Sequence, residues 1–255
     1  MQVLFNNSIS KPIKFIIEII NMKKVLSFSL WGSNPKYTIG AIRNIKLAQK
    51  YYPDFECWFY IHKDTVPQDI IDQIQKHENV NIIFKDGDVT KCKPMMWRFE
   101  AIDEPDVEIL MSRDADSRIY LREKLAYDEW IASKKIFHIM RDHPHHTLPI
   151  QGGMFGTFKI PSIPSWKELM KNVKQTTHRD YDQEFLKTFI YYNIKNDAFI
   201  HASFNILANE ITHKFPTDYD NEFHFVGAYV NENEECEQLH INILKNKLHE
   251  MYNKK

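Results

Sequence analysis

The sequence predicts an α/β protein of a single domain, with a mostly parallel central sheet and helices on both faces. Three observations carry this. Segments of strand character alternate with segments of helical period, and that alternation argues for a parallel sheet covered by helices. The strand segments are apolar nearly throughout, as strands buried on both faces are. The chain has 255 residues, 43% of them hydrophobic, which is enough for one large core. No repeat, linker or low-complexity stretch divides it.

Taken in order, residues 24–31 form the first strand, broken by Gly32-Ser33-Asn34-Pro35. A helical period runs through Ile39, Ile42, Leu47 and Tyr51 over 37–51, and Pro53 ends it. Residues 56–62 are a second, aromatic-rich strand. Val66-Pro67 opens a helix to about residue 77, with Ile70, Ile71 and Ile74 on one face. Residues 80–84 are the third strand, 94–102 are helical, and 107–111 are the fourth strand. A helix over 122–133 and a strand over 135–140 follow. A polar loop, Arg141 to Thr147, leads to residues 151–158, which hold three of the seven glycines. Helices are expected near 166–173 and 183–193. The last segment is less regular. The expected organisation is an N-terminal extension over 1–22, the α/β domain over 23–238, and a charged helix or tail over 239–255.

Composition excludes several functions. There are 33 basic and 34 acidic residues, net charge −1, so no basic excess is present to hold a nucleic-acid backbone. Cys57, Cys92 and Cys236 lie far apart, in neither zinc-site nor disulfide-framework spacing. No run approaches the roughly 20 apolar residues of a membrane span. The apolar stretch 11–20 is interrupted by Lys14 and Glu18 and lacks a small-residue cleavage site, so a soluble, cytoplasmic protein is expected. That stretch can equally be an added strand or helix, an interfacial anchor, or sequence ahead of a start at Met22.

The most informative segment is Glu108-Ile109-Leu110-Met111-Ser112-Arg113-Asp114-Ala115-Asp116-Ser117-Arg118. In extended backbone, side chains at i and i+2 point the same way, so Asp114 and Asp116 present two carboxylates to one point while Ala115 faces away. Such a pair repels itself unless a cation sits between. A divalent metal fits, with Arg113 and Arg118 flanking to meet a second anion. An acidic turn made soluble by its charges is the plainer alternative. In parallel sheets ligands bind beyond the carboxyl ends of the strands, which places residues 31–34, 62–64, 114–116 and 142–146 about one crevice. Gly152-Gly153 permits close approach to a ligand or a tight turn. His143, His145 and His146 are too tightly spaced for a tetrahedral zinc site and read as a polar loop. Asp142, at a strand end, is placed to hydrogen-bond a sugar. Asp182, opening a helix in Tyr181-Asp182-Gln183-Glu184, reads as an N-cap or as a base.

The strand-to-R-D-A-D-S-R junction resembles the D-x-D element of GT-A-type glycosyltransferases, and the resemblance continues through R-E-K-x-A-x-D-E-W-x-x-S, R-D-H-P-x-H and P-I-x-G-G-M-F-G in that order. It covers roughly residues 24 to 230, and its specific part is 108–159. It implies a GT-A-like (Rossmann-like) fold, a nucleoside-diphosphate sugar donor, UDP-linked, and Mn²⁺ or Mg²⁺ as cofactor. It implies that Asp116 ligates the metal and that Asp114 touches metal or ribose. A histidine would complete the metal site: His201, although His201-Ala202-Ser203 stands where similar sequences have H-D-S, or His224, in the H-F-x-G-like His224-Phe225-Val226-Gly227, where Gly227 lies on the phosphate side. Leu30, Trp31 and Tyr37 would frame the base, and Lys93 and Arg98 would reach phosphate or base, unless they are a solvated helix face. Gly152 and Gly153 would face the transferred sugar, and Asp182 or Asp142 would serve catalysis. The acceptor would be a hydroxyl on a glycan, protein or small molecule. A nucleotidyltransferase or phosphoesterase using the same carboxylates, and a non-catalytic nucleotide- or sugar-binding module, are the alternatives.

Overall fold

In the computed structural model, residues 22–253 are described, apart from 92, 175, 176 and 179. The extension expected over 1–22 lies, except for Met22, outside the described residues, as does Cys92. Among the described residues, eight strands form one sheet: β1 (Lys23–Leu30), β2 (Glu56–His62), β3 (Val80–Lys85), β4 (Val107–Arg113), β5 (Phe137–Arg141), β6 (Met154–Phe158), β7 (Ala198–Ala202) and β8 (Thr212–His213). Their order is β3-β2-β1-β4-β6-β5-β7-β8. Every neighbouring pair is parallel except those of β6, which runs antiparallel to both β4 and β5. This is the mostly parallel, helix-covered sheet that the alternating pattern predicts.

The pleat sorts the apolar runs onto two cores. On β2, Cys57, Phe59 and Ile61 pack on one face, and Trp58 and Tyr60 on the other. The first core is covered by α1 (Pro35–Tyr51), α2 (Gln68–Gln75) and α3 (Leu121–Ser133), through Ile45, Ile71 and Trp130. The second is covered by a 3-10 helix (Lys93–Asp103), α4 (Trp166–Lys171) and a helix that begins as α5 (Tyr181–Phe185) and continues through a π-helical stretch (Leu186–Tyr191) to Tyr192–Ile194. The segment read as helical over 94–102 is 3-10 rather than α. Side chains three apart eclipse in that form, and Met96, Phe99 and Ile102 accordingly make one buried ridge. The charged stretch from Leu239 is α6 (Gln238–Tyr252), which packs Ile241 and Leu244 against Phe204, Phe225 and Ala228. No helix among the described residues is long and apolar enough to cross a membrane.

Among the described residues five arginines are buried with carboxylate partners: Arg98 with Asp114 and Asp182, Arg113 with Glu123, Arg118 with Glu234, Arg122 with Asp142, and Arg141 with Glu210. Buried charges persist only when so paired. The choice of partner decides which acidic residues remain free to face a ligand.

Candidate active site

A cleft of about 1040 Å³ opens beyond the carboxyl ends of β1, β4 and β5 and the amino end of β6. Leu30 and Trp31 reach it from the end of β1 and Tyr37 from the first turn of α1. α1 starts here because Asn34 accepts a hydrogen bond from the Lys36 backbone N–H at 3.0 Å, and Pro35 supplies a first-turn φ at a position needing no donor.

Asp114, Ala115 and Asp116 line the cleft together. The backbone there is a turn rather than an extended strand: the Ser117 hydroxyl donates to the Asp114 carbonyl at 3.1 Å. Buried Asn44 of α1 pins the turn by donating to the Ser117 carbonyl at 2.8 Å, and Val230 N–H donates to the Asp116 carbonyl at 2.8 Å. Ala115 faces the core. Each carboxylate has its own cation. Lys36 Nζ lies 2.9 Å from Asp116 Oδ2. Arg98 pairs with Asp114 through Nη1 and, at 2.8 Å through Nη2, with Asp182. Burial, and secondarily Asp114, push the Asp116 carboxyl above its usual range, against the pull of Lys36.

Asp182 sits in the first turn of α5, where Asp180 rather than Asp182 is the N-cap. It lines the cleft while only 2% exposed, and burial pushes its carboxyl up to about 6, with Arg98 opposing. Gly152 and Gly153 are required by these carboxylates. A Cβ at Gly152 would overlap the Asp182 carboxylate and fall 2.8 Å from Arg98 Nη2; one at Gly153 would overlap that of Asp114 and fall 2.9 Å from the Asp114 backbone nitrogen. The Ser112 hydroxyl donates to the Gly152 carbonyl at 2.6 Å and holds the loop down.

The opposite groups are imidazoles and aromatics. His143, His145 and His146 line the cleft with Phe225, Gly227, Tyr229 and His240. His143 donates from Nε2 to the His240 carbonyl at 3.0 Å and accepts at Nδ1 from His145 N–H. Burial lowers it to about 4, and lowers His146 strongly as well. The His143 and His146 rings are therefore neutral at pH 7.

Several expected residues lie elsewhere. Arg113 is turned into the core onto Glu123, at 2.7 Å from Nε, because side chains alternate across β4 and Asp114 takes the cleft side. Arg118 is held by Glu234. Lys93 is exposed at the start of the 3-10 helix and does not line the cleft. His62 stacks on Trp97 instead of reaching the cleft. Asp142 is fully buried and does not line it: Arg122 grips both its oxygens at 2.8 Å, and Ser203, Tyr219 and the Val226 N–H complete its bonding. That leaves no lone pair for a sugar, and Asp142 instead ties the segment carrying Phe225 and Gly227 to α3 and β7. His201 is buried with both ring nitrogens spent, on His138 and on Glu129, each at 2.9 Å. His224 stacks on Tyr120 outside the cleft lining, with its nitrogens on Asp220 and Glu222. Neither histidine is placed to complete a site with Asp114 and Asp116. Among the described residues, no group of three His, Cys, Asp or Glu side chains gathers about a point that could hold an ion. Two carboxylates completed by substrate phosphates and water are nevertheless a donor set that Mg²⁺ and similar hard ions accept.

Lys36, Asn44, Tyr229 and His240 are site or supporting residues that the sequence pattern did not single out. Lys36 had a local signal, a cation one residue after Asn34-Pro35 at a helix start beyond β1. The others had none.

No family model and no curated protein matches the chain. Among solved structures, it is similar to the 4-diphosphocytidyl-2C-methyl-D-erythritol synthase of Anaerococcus prevotii, at 12% identity over 76% of this chain and 94% of that one, TM-score 0.46. It is similar to a glycosyltransferase involved in glycosylation of the major capsid of PBCV-1, at 13% identity over 71% and 81%, TM-score 0.44. It is also similar to the galactosyltransferase LgtC in complex with donor and acceptor sugar analogs, at 12% identity over 71% and 73%, TM-score 0.40. These likenesses are distant, and the fold is read from the strand order.

Proposed function

We propose that the chain is a GT-A-type glycosyltransferase. It transfers a sugar from a nucleoside diphosphate, UDP-linked, to a hydroxyl of a glycan, protein or small molecule. The observation that carries this reading is the meeting of Asp114 and Asp116 with Leu30, Trp31 and Tyr37 and with the Gly152–Gly153 loop in one cleft. The aromatic and apolar group suits a base, and the glycine pair a closely held sugar. Asp114 and Asp116 would hold Mn²⁺ or Mg²⁺, which when bound stabilises the departing diphosphate as a Lewis acid. Asp182, beside the glycine loop and with its carboxyl raised to about 6, is suited to take the acceptor hydroxyl proton near neutral pH. Arg98 orients that carboxylate and Asp114 together.

The nucleotidyltransferase and phosphoesterase alternatives commonly use two ions about 4 Å apart and therefore more converging carboxylates. The described residues gather no such cluster.

The test is thermal stability against nucleoside diphosphates and nucleotide sugars, with and without Mn²⁺. A ligand at about 100 times its Kd stabilises by roughly 2.7 kcal/mol, or roughly 5–10 °C in Tm for a chain of this size. A shift for one diphosphate that needs Mn²⁺ and disappears in Asp116→Ala is the expected result. No shift for any nucleotide, on folded protein with metal present, would reject the reading.

A further inference from the structure

The two cations on the aspartate pair are not equivalent. Arg98 is 4% exposed, sits between two carboxylates, and also donates to the Arg113 carbonyl at 3.1 Å. It cannot leave without stranding Asp182. Lys36 meets one carboxylate, its side chain is 29% exposed, and it swings on a four-carbon stem from the first turn of α1. Its ammonium also lies 4.5 Å above the ring of Tyr229, which lines the cleft. It also lies 5.6 Å from the ring of Tyr37, and Lys36 borders a second cavity of about 460 Å³ with Tyr229, Asn231 and residues 235–238. Lys36 thus has somewhere to go, and an aromatic face to steady it on the way.

An ammonium and a divalent ion on the same carboxylate repel each other strongly, because like charges within about 4 Å are poorly screened at a site this dry. Asp116 is 4% exposed. A divalent ion arriving on Asp116 therefore competes with the ammonium for it, whereas Asp114 keeps Arg98, which a second carboxylate holds in place. A lysine displaced from Asp116 remains tethered at the cleft edge, within a side chain's reach of any group bound to that carboxylate's metal. A diphosphate there carries more negative charge than one divalent ion removes.

We propose that Lys36 is a dual-purpose binding residue: it occupies Asp116 while the cleft is empty, yields that carboxylate to a divalent ion, and then pairs with the donor diphosphate. The inference rests on the proposed use of Asp116 as a metal ligand. It requires two effects of opposite sign from one substitution. Removing the ammonium frees Asp116, so Mn²⁺ alone binds more tightly; it also removes a phosphate partner, so nucleoside diphosphate binds more weakly in saturating Mn²⁺. Each change is about tenfold, the worth of one charge-assisted hydrogen bond.

The experiment titrates the full chain with Mn²⁺ alone, following free Mn²⁺ by electron paramagnetic resonance. It then titrates with UDP in saturating Mn²⁺ by calorimetry. Wild type, Lys36→Met, Lys36→Arg and Asp116→Ala are compared, each first shown to melt cooperatively. The proposal expects Lys36→Met to tighten Mn²⁺ and weaken UDP, and Lys36→Arg to keep both near wild type. If Asp116→Ala loses Mn²⁺ while Lys36→Met leaves both affinities unchanged, or moves them in the same direction, the role of Lys36 is overturned and the metal reading stands. If Asp116→Ala binds Mn²⁺ as wild type does, the metal reading falls, and this inference with it.

Discussion

Replacing Arg98 by methionine keeps the length of the side chain and deletes the cation that Asp114 and Asp182 share. Asp182 is 2% exposed and has Arg98 as its charged partner, 2.8 Å away, with the Gln183 N–H as its other bond. Asp114 is better hydrated, its side chain being 37% exposed. The cost therefore falls mainly on Asp182, left buried beside a second carboxylate. Breaking one side of a buried pair costs about 3–5 kcal/mol, which lowers Tm by roughly 6–20 °C in a chain of this size. The sign reverses for the pair: Arg98→Met combined with Asp182→Leu removes the stranded charge and fills its place with apolar surface. The double variant should therefore recover most of the loss. Urea unfolding followed by circular dichroism gives both numbers and their coupling. A single variant within about 1 kcal/mol of wild type, or a double variant whose cost is the sum of the two singles, would refute the claim that Arg98 acts by holding these carboxylates.

Two further outcomes follow from the same geometry. Gly153→Ala puts a methyl where the Asp114 carboxylate lies and against the Asp114 backbone nitrogen; overpacking of this kind costs about 1–3 kcal/mol, and Mn²⁺ affinity should fall with it, whereas an unchanged melting curve and unchanged Mn²⁺ binding would place Asp114 elsewhere. Asp182 has a folded value of about 6, above its unfolded value, so between these pH values the folded state binds the extra proton and this group's contribution is lost as pH rises through about 6. Wild type should therefore gain about 1.4 kcal/mol on Asp182→Asn between pH 7 and pH 5, and a flat difference curve would contradict the raised value.

Much of the sheet was legible because its strands are apolar runs bounded by breakers. Residues 24–31, 56–62 and 107–111 were strands by pattern and are β1, β2 and β4, shifted by a residue or two at their ends. Asp114 and Asp116 were legible because two carboxylates one residue apart need an explanation at any strand end. What the sequence could not separate was one strand-end or helix-start aspartate from another. Asp142 and Asp182 have similar local surroundings, yet Asp142 is closed off by Arg122, Ser203 and Tyr219, up to 77 residues away, while Asp182 lines the cleft. The same holds for His201: its partners His138 and Glu129 are 63 and 72 residues distant, and they alone decide that neither ring nitrogen is free. Phe225 and Tyr229 reach the cleft from a segment without a repeating pattern, tied down by the bonds from Val226 N–H to Asp142 and from Val230 N–H to the Asp116 carbonyl, and His240 reaches it from the first turn of α6.

The reversal of β6 explains why a glycine pair that precedes its strand shares a cleft with aspartates that follow theirs. A strand laid parallel to β4 would deliver its carboxyl end beside Asp114 and bury its leading loop at the far edge of the sheet. β6 instead pairs antiparallel, with Met154 opposite Arg113 and Phe158 opposite Ile109. The residues just ahead of Met154 are therefore brought level with those just after Arg113. Gly152 and Gly153 meet the carboxylates of Asp182 and Asp114 for that reason, and no side chain fits between. Direction cannot be read from Met154–Phe158 itself, since an apolar strand looks alike from either end. It follows from the loop: residues 142–153 form no helix that could carry the chain back across the sheet for a parallel pairing, and β6 lies beside β5. A connection without a crossover helix thus returns the chain antiparallel beside β5, and that direction sets the composition of the cleft.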